Sequence, residues 1–454
     1  MTSPRLESFD PEMNRRDFIR SAAVAGAGLM VTVPGWAQEV AGGAGKVDEL
    51  AVGIIGPGSQ GKFLVTRALK AAGVRFVAAC DIWPYRRKYI SKLLKKYDQP
   101  INVYEDYREM LAKEKHLDAV IVATPDWVHA EHANACLQAG KHVYCEKEMA
   151  STIEAARSMV ETARQTGKLL QIGHQRRSNP RYWHALKMIE KDKILGRVTH
   201  LNGQWNRPQL VEQGWPKGKE LDAATLKRYG YENMDQFRNW RWYRKYSGGP
   251  MADLGSHQID VFNWFLHTPP KSVLAGGGLD YYTKQAGRDW YDNVMAIYEY
   301  ETAKYGPVRG FYQVLNTTSN GGFFETFMGD EGTLTISEDT RTGHIFREQK
   351  AKRREWEDEA AKIETMDREA IELKIGETLT PEGQRTPEAQ KMLAESQKPP
   401  HQLHLENFFN AIRGQAKLTC PADVAFEVCV SVLRANEAVE SGCRVTFTPE
   451  EFKA

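Results

Sequence analysis

The chain reads as an α/β protein: a parallel sheet wound with helices, then a second α/β domain on an open, mainly antiparallel sheet. Three observations predict this. Short continuous apolar runs alternate with helical patterns between residues 50 and 173. A G-x-G-x-x-G stretch, Gly56 to Gly61, stands where the first of those runs meets the first helix. Beyond about residue 195 the strands turn amphipathic and aromatic-rich, which suits a sheet with one wet face.

The elements follow in order. Leu50 to Gly56 is a run of the kind found in buried parallel strands. A helical pattern continues to Ala72, and Phe76 to Cys80 is the second strand. One helix then leads to a strand at Ala119 to Ala123, and a helix from His129 to Ala139 leads to a strand at His142 to Cys145. Leu169 to Gly173 closes this sheet, whose crossovers are expected to be right-handed. In the second domain the expected strands are Thr199 to Trp205, Val294 to Tyr300, Val308 to Leu315 and Gly332 to Ile336. Residues 349–400 are strongly charged and poor in apolar side chains, a surface insertion, before helices at Leu403 to Ile412 and Ala422 to Val439. The boundaries are therefore 1–37 for a leader, 38–49 for a linker, 50–173 for the first domain and 174–454 for the second.

Length and composition agree with this division. At 454 residues the chain is too long for one compact core. Its 61 basic and 59 acidic residues leave a formal charge of +2, which offers no electrostatic case for nucleic acid or an anionic membrane. No apolar run reaches the ~20 residues that span a bilayer, so no stable membrane insertion is expected. Six cysteines without a C-x-x-C support neither a disulfide framework nor a zinc site. His129 and His132 have ligand-like spacing but lack a third ligand, so no metal is expected.

The N-terminus carries an address. Arg15-Arg16 precedes Asp17-Phe18 and an uncharged run from Ser21 to Val33, with Gly35-Trp36-Ala37 as a small-residue cleavage point. This resembles a twin-arginine signal and implies the twin-arginine export machinery as a partner and the periplasm as destination.

The glycine motif has a definite chemistry. Gly56 makes the tight turn, Gly58 lets backbone approach a pyrophosphate, and Gly61 lets helix and strand pack closely. The helix N-terminus then offers oriented N–H groups to the diphosphate. Asp81, 25 residues after Gly56, can accept both ribose hydroxyls of NAD and repels the 2′-phosphate of NADP. Arg86 and Arg87, which could soften that preference, are read as exposed helix residues.

Three further stretches carry a family resemblance: Ala123-Thr124-Pro125-Asp126-Trp127-Val128-His129, the run Gly140 to Lys147, and Gly249 to Asp260. Together, and in this order, they resemble the Gfo/Idh/MocA oxidoreductases over residues 50–340 and again over 401–447. The resemblance implies a Rossmann domain with a second α/β domain, a nicotinamide cofactor, sugar or cyclitol substrates, and a homo-dimer or homo-tetramer formed through the open sheet. It places Lys147, Asp253 and His257 in catalysis. Ser59, Gln60, Thr124, Pro125, His129 and Glu146 join the glycines and Asp81 at the cofactor. By position alone, Gln175, Arg176 and Asn179 after the last strand of the first domain either face the cleft or form a solvated loop, and Asp260 either backs the site or lies on the helix surface; Arg176 and Asp260 are read as substrate-binding. Glu148 departs from the family, which has proline there; it is expected to alter the local backbone and add a negative charge near the site.

The residues themselves agree with these roles. Lys147 stands at the C-terminal end of a parallel strand, where such sheets bind ligands, and its ammonium can stabilise a developing alkoxide or relay a proton. Asp253, His257 and Asp260 fall on one face near a helix start, where a carboxylate beside an imidazole would orient it and raise its proton affinity. That suits removal of a hydroxyl proton during hydride transfer. Six of the eleven tryptophans lie between 205 and 290, and one or two are expected to stack on a sugar. The expected activity is an exported NAD(H)-dependent oxidoreductase acting on a sugar hydroxyl or ketone, its cofactor held tightly under the segment from Gln38 to Asp48. The alternative is a redox-neutral glycosidase working by oxidation, elimination and reduction.

Overall fold

The computed structural model describes residues 48–207, 212–282, 287–358, 360–365, 368–373, 375 and 386–454. The twin-arginine segment and the linker before Asp48 lie outside the described residues.

The first sheet has six parallel strands: β1 (Leu50–Ile55), β2 (Val74–Cys80), β3 (Asn102–Tyr104), β4 (Ala119–Val122), β5 (His142–Cys145) and β6 (Leu170–Ile172). Their order is β3-β2-β1-β4-β5-β6, so the winding reverses between β1 and β4. A crevice opens at the carboxyl ends of the strands at such a reversal. The central strands are apolar throughout because helices cover both faces; β4, Ala-Val-Ile-Val, is buried at every position. Where the sequence suggests one helix between β2 and β4, the structure has two, Pro84–Lys95 and Tyr107–Lys113, with β3 between them. β3 has only three residues, two of them exposed, and so lacks the apolar run that marks the other strands.

The second sheet has ten strands: β7 (Val198–Asn206), β8 (Ser272–Gly278), β9 (Asn293–Thr302), β10 (Gly306–Leu315), β11 (Phe323–Gly329), β12 (Gly332–Ile336), β13 (Gly343–Arg347), β14 (Lys362–Thr365), β15 (Arg368–Glu372) and β16 (Val445–Thr446). Among the described residues only the β7–β10 pair of this sheet is parallel. The charged stretch after residue 349 is thus partly structured, since β14 and β15 extend the sheet edge. β9 alternates strictly: Val294, Ala296, Tyr298 and Tyr300 point into the core, while Met295 and Ile297 point out. The helix Ser256–Leu266 is buried along its whole length beneath this sheet, alongside Ala422–Ser441.

The division at residue 173 needs one correction. Leu405, Phe408 and Phe409 of the helix Pro400–Ile412 complete the apolar core under β1, β2 and β4. The chain therefore returns late to finish the first domain. Its apolar side chains fill a face that the local helices leave open, and no local pattern marks which core they join.

Candidate active site

A cleft of about 1060 Å³ crosses the carboxyl ends of β1, β2, β4 and β5 and is walled on the far side by the second domain. One end is a dinucleotide cradle. Gly56 has φ +82°, and a Cβ on Gly61 would sit 2.3 Å from the Gly56 carbonyl oxygen, so neither position tolerates a side chain. A Cβ on Gly58 would meet nothing closer than 4.0 Å, which leaves backbone open to a ligand. The helix Ser59–Ala68 begins there with no side-chain cap, so its first N–H groups point unfilled into the cleft. Asp81 accepts the Trp83 N–H through Oδ1 (2.8 Å). Burial lifts its carboxyl to about 6 against the pull of the Trp83 N–H and nearby arginines, which still leaves it ionised at neutral pH. These features fit the diphosphate and adenine ribose of NAD.

The two arginines after Asp81 are not simply exposed. Arg87 donates to the Asp81 (2.6 Å) and Ile82 (3.2 Å) carbonyls and to Glu105 (3.3 Å), so its guanidinium is occupied. Arg86 lines the cleft against the Trp83 ring. The segment from Lys219 to Tyr246 closes over this end: Trp83 Nε1 donates to the Lys219 carbonyl (2.5 Å), and Trp127 and Trp83 pack with Tyr231, Phe237 and Tyr246.

Ser59, Gln60, Thr124, Pro125, His129 and Glu146 all line the cleft. Gln60 Nε2 donates to Glu146 Oε1 (3.1 Å), tying β1's loop to β5's. His129 lies between the Thr124 carbonyl (2.7 Å) and the Glu148 carbonyl (2.8 Å). Burial lowers its pKa to about 4, and a neutral ring donates to one of the two oxygens. It positions the backbone around Lys147.

At the other end, the Lys147 ammonium donates to the Asp253 carbonyl and lies 3.7 Å from Oδ1 of the same residue. Arg207 Nη2 reaches Asp253 Oδ2 (3.1 Å) and Arg241 Nε reaches Oδ1 (3.0 Å). Burial alone would raise this carboxyl, but Arg241, Lys147 and Arg207 outweigh it and hold Asp253 well below the usual carboxylate range. His257 faces the same cleft, its ring 5.3 Å from that of Trp205. Burial, then the charges of Lys147 and Arg176, drive its pKa well below that of free histidine, so the imidazole is neutral.

Three expectations are corrected here. Asp253 does not orient His257: no hydrogen bond joins them among the described residues, and the carboxylate serves the three cations instead. The reason is local, since Met251–Gly255 is a π-helical turn leading into the helix from Ser256, and the wider turn shifts the register an α-helix would give. Arg176 does not face the cleft. It is 1% exposed and paired with Glu325 and, at 3.3 Å, with Glu338. Asp260 is likewise 1% exposed and accepts from Arg177 (2.7 Å) behind the cleft wall. The neighbour of Arg176, Gln175, takes the cleft position and donates to Glu338 (3.1 Å).

The sequence reading missed Arg207, Arg241, Glu338 and His401, all of which line the cleft. Arg207 directly follows β7, and Arg241 stands between Trp240 and Trp242; a charged residue inside an aromatic run was the available signal. Of the tryptophans between 205 and 290, Trp205, Trp240 and Trp242 also line it.

Glu148 adds no charge to the cleft. The Lys147–Glu148 peptide is cis, and the carboxyl is 2% exposed, turned inward to accept the Met149 N–H (2.8 Å). Burial pushes it up to about 8, so it is mainly neutral at pH 7. Because the folded pKa lies above the unfolded one, stability falls as pH rises from about 4.5 through about 8. Glu148→Gln should remove this loss, gaining on the order of 2–4 kcal/mol over the parent at pH 8.5 and little at pH 4.5. Urea denaturation of both proteins at the two pH values measures it; equal gains at both would show that ionisation of Glu148 is not the cause.

Comparison with known proteins agrees with this architecture. Residues 50–174 match the model of an oxidoreductase family with an NAD-binding Rossmann fold, and residues 219–447 match its C-terminal alpha/beta domain. The inositol 2-dehydrogenase of Salmonella typhimurium is 28% identical over 226 residues, 49% of this chain and 56% of the relative, so the match spans about half the length of that protein. The D-glucoside 3-dehydrogenase of Escherichia coli is 26% identical over 408 residues, 87% of this chain and 97% of the relative. Among solved structures, levoglucosan dehydrogenase in complex with NADH and levoglucosan superposes with a TM-score of 0.64 at 19% identity, covering 88% of this chain and 99% of that one. The WlbA dehydrogenase of Bordetella pertussis, in complex with NADH and UDP-GlcNAcA, gives 0.63 at 17% identity over 89% and 99%. The dinucleotide cradle, the order of the two sheets and the matches to both domains establish that the chain belongs to the Gfo/Idh/MocA oxidoreductase family.

Proposed function

We propose that the protein is an NAD(H)-dependent dehydrogenase that interconverts a secondary hydroxyl and a ketone on a sugar or glycoside. The observation that carries this reading is the Lys147 ammonium, anchored on Asp253, sharing one cleft with a neutral His257 and with the dinucleotide cradle. Bound in that cradle, NAD⁺ would supply the acceptor for the hydride leaving the substrate's carbinol carbon. Lys147 hydrogen-bonds the carbinol oxygen and stabilises the alkoxide as the C–H bond breaks with its electron pair. His257, neutral and buried, takes the hydroxyl proton, leaving a C=O bond. Trp205, Trp240 and Trp242 supply aromatic surface to the cleft that would hold the sugar. The match to a D-glucoside dehydrogenase along nearly its whole length favours a sugar ring over a small alcohol. The test is NADH formation across a panel of free sugars and methyl glycosides. No absorbance change with any of them, in protein that binds NADH, would overturn the proposal, and glycoside cleavage without net NADH would select the redox-neutral cycle.

Export through the twin-arginine route and a tightly retained cofactor belong to the same reading. The motif at Arg15-Arg16 supports the first, and the cover from Lys219 to Tyr246 supports the second. Purified protein is expected to keep NAD(H) through extensive dialysis, and Arg15→Lys with Arg16→Lys is expected to leave it in the cytoplasm on fractionation. Empty protein, or unchanged export, would refute the respective claim.

Pairing of two copies through the open sheet is also proposed. Leu274, Ile297 and Phe311 lie side by side across β8, β9 and β10, with Met295 beside them, and each is 37–44% exposed. Such a contiguous apolar patch suits a symmetric interface. Light scattering should give at least a dimer mass, and Ile297→Lys should shift it toward monomer. A monomeric parent protein contradicts the assignment.

A further inference from the structure

We infer that the substrate is a sugar acid, one whose ring carries a carboxylate, and that Arg241 and Arg207 hold that group. This rests on the dehydrogenase reading above and names its substrate class. Three cations, Lys147, Arg207 and Arg241, converge on the single carboxylate of Asp253, with the buried Glu146 and Asp126 also facing Lys147 and Arg241. Of the other acids here, Glu338 is already engaged by Arg176 (3.3 Å) and Gln175 (3.1 Å), and Glu146 accepts from Gln60 (3.1 Å). The standing charges that act most strongly on His257 are Lys147 and Arg176, both cationic.

The two guanidiniums are fixed and have donors to spare. Arg207 is held by Asn316 Oδ1 at Nε (2.9 Å) and by Asp253 at Nη2, leaving Nη1 unbonded among the described residues. Arg241 uses only Nε on Asp253, and its carbon lies 4.1 Å from the Trp240 ring centroid. Its side chain keeps 45% of its surface in the cleft, with both Nη groups unbonded among the described residues. A planar fork of free N–H groups beside an anchored one matches a carboxylate's two oxygens. Behind them Arg288 stacks 3.2 Å from the Trp242 centroid, 8% exposed, its Nε and Nη1 without partners among the described residues. The wall therefore presents guanidinium donors that no acceptor among the described residues takes, which a neutral hexose leaves without an anionic partner and a uronate or aldonate satisfies.

The experiment pairs each acid with its neutral counterpart: glucuronate against glucose, and methyl glucuronide against methyl glucoside, with glucose 6-phosphate as a further anion. Binding to the NADH-loaded protein is measured by calorimetry, and turnover by NADH absorbance. The acid is expected to bind about tenfold or more tightly than its neutral partner, and Arg241→Gln to remove most of that preference through KM while NADH affinity stays the same. Equal or weaker binding of the acids, or tightest binding of the sugar phosphate, overturns the inference. Selective binding of the acids without turnover of any sugar would uphold it and sink the dehydrogenase reading. Turnover of neutral sugars alone would do the opposite.

Discussion

Replacing Lys147 by methionine is expected to lower kcat/KM by about a thousandfold while leaving NADH affinity within about twofold of the parent protein. The ammonium touches no part of the glycine cradle; its partner is Asp253 on the opposite wall. Methionine keeps most of the stem's volume, and Asp253 retains Arg207 and Arg241, so no buried carboxylate is orphaned. What disappears is the donor to the developing alkoxide, a group whose hydrogen bond strengthens only as charge builds on oxygen. Steady-state rates and a fluorescence titration with NADH separate the two effects. Equal losses in both would move Lys147 from the reacting oxygen to the cofactor.

Arg176→Met should cost about 3–5 kcal/mol of stability at pH 7.5, the largest loss expected from any single cleft-wall residue. Glu325 is fully buried, and its Oε1 accepts from Arg176 while Oε2 accepts from the Tyr182 hydroxyl (2.7 Å). Burial already raises the Glu325 carboxyl, with Arg176 opposing the rise. Without that cation the folded pKa climbs further above the unfolded one. The deficit should therefore grow as pH rises and shrink toward pH 5, where Glu325 can bind a proton. Glu325→Gln in the same chain should restore part of the loss, because it removes the unpaired charge. Denaturant midpoints across that pH range test this. A variant of normal stability with a raised KM would return Arg176 to the substrate.

Much of the first domain was legible in the residues themselves. Each parallel strand buried on both faces is a short apolar run, and the tight approach of Gly61 to the Gly56 carbonyl admits glycine alone, so strand, turn and helix start are all written locally. β3 escaped because two of its three residues are exposed at the sheet edge. The alternation of β9 likewise announced a sheet with one face outward. Lys147 could be placed for the same reason, since the end of β5 fixes where it stands.

Other features were decided only when distant segments met. The partner of Arg176 lies 149 residues away, and nothing around Arg176 distinguishes it from Gln175, which faces the cleft. Arg207 and Arg241 acquire meaning only by meeting Asp253, and the helix Pro400–Ile412 declares its allegiance only by filling the core of the first domain. Backbone periodicity specifies which face of an element is apolar. It carries no information about which buried charge a long side chain will reach. That choice is set by the cost of leaving a carboxylate or guanidinium unpaired in the interior, a cost that exists only once the two domains have packed.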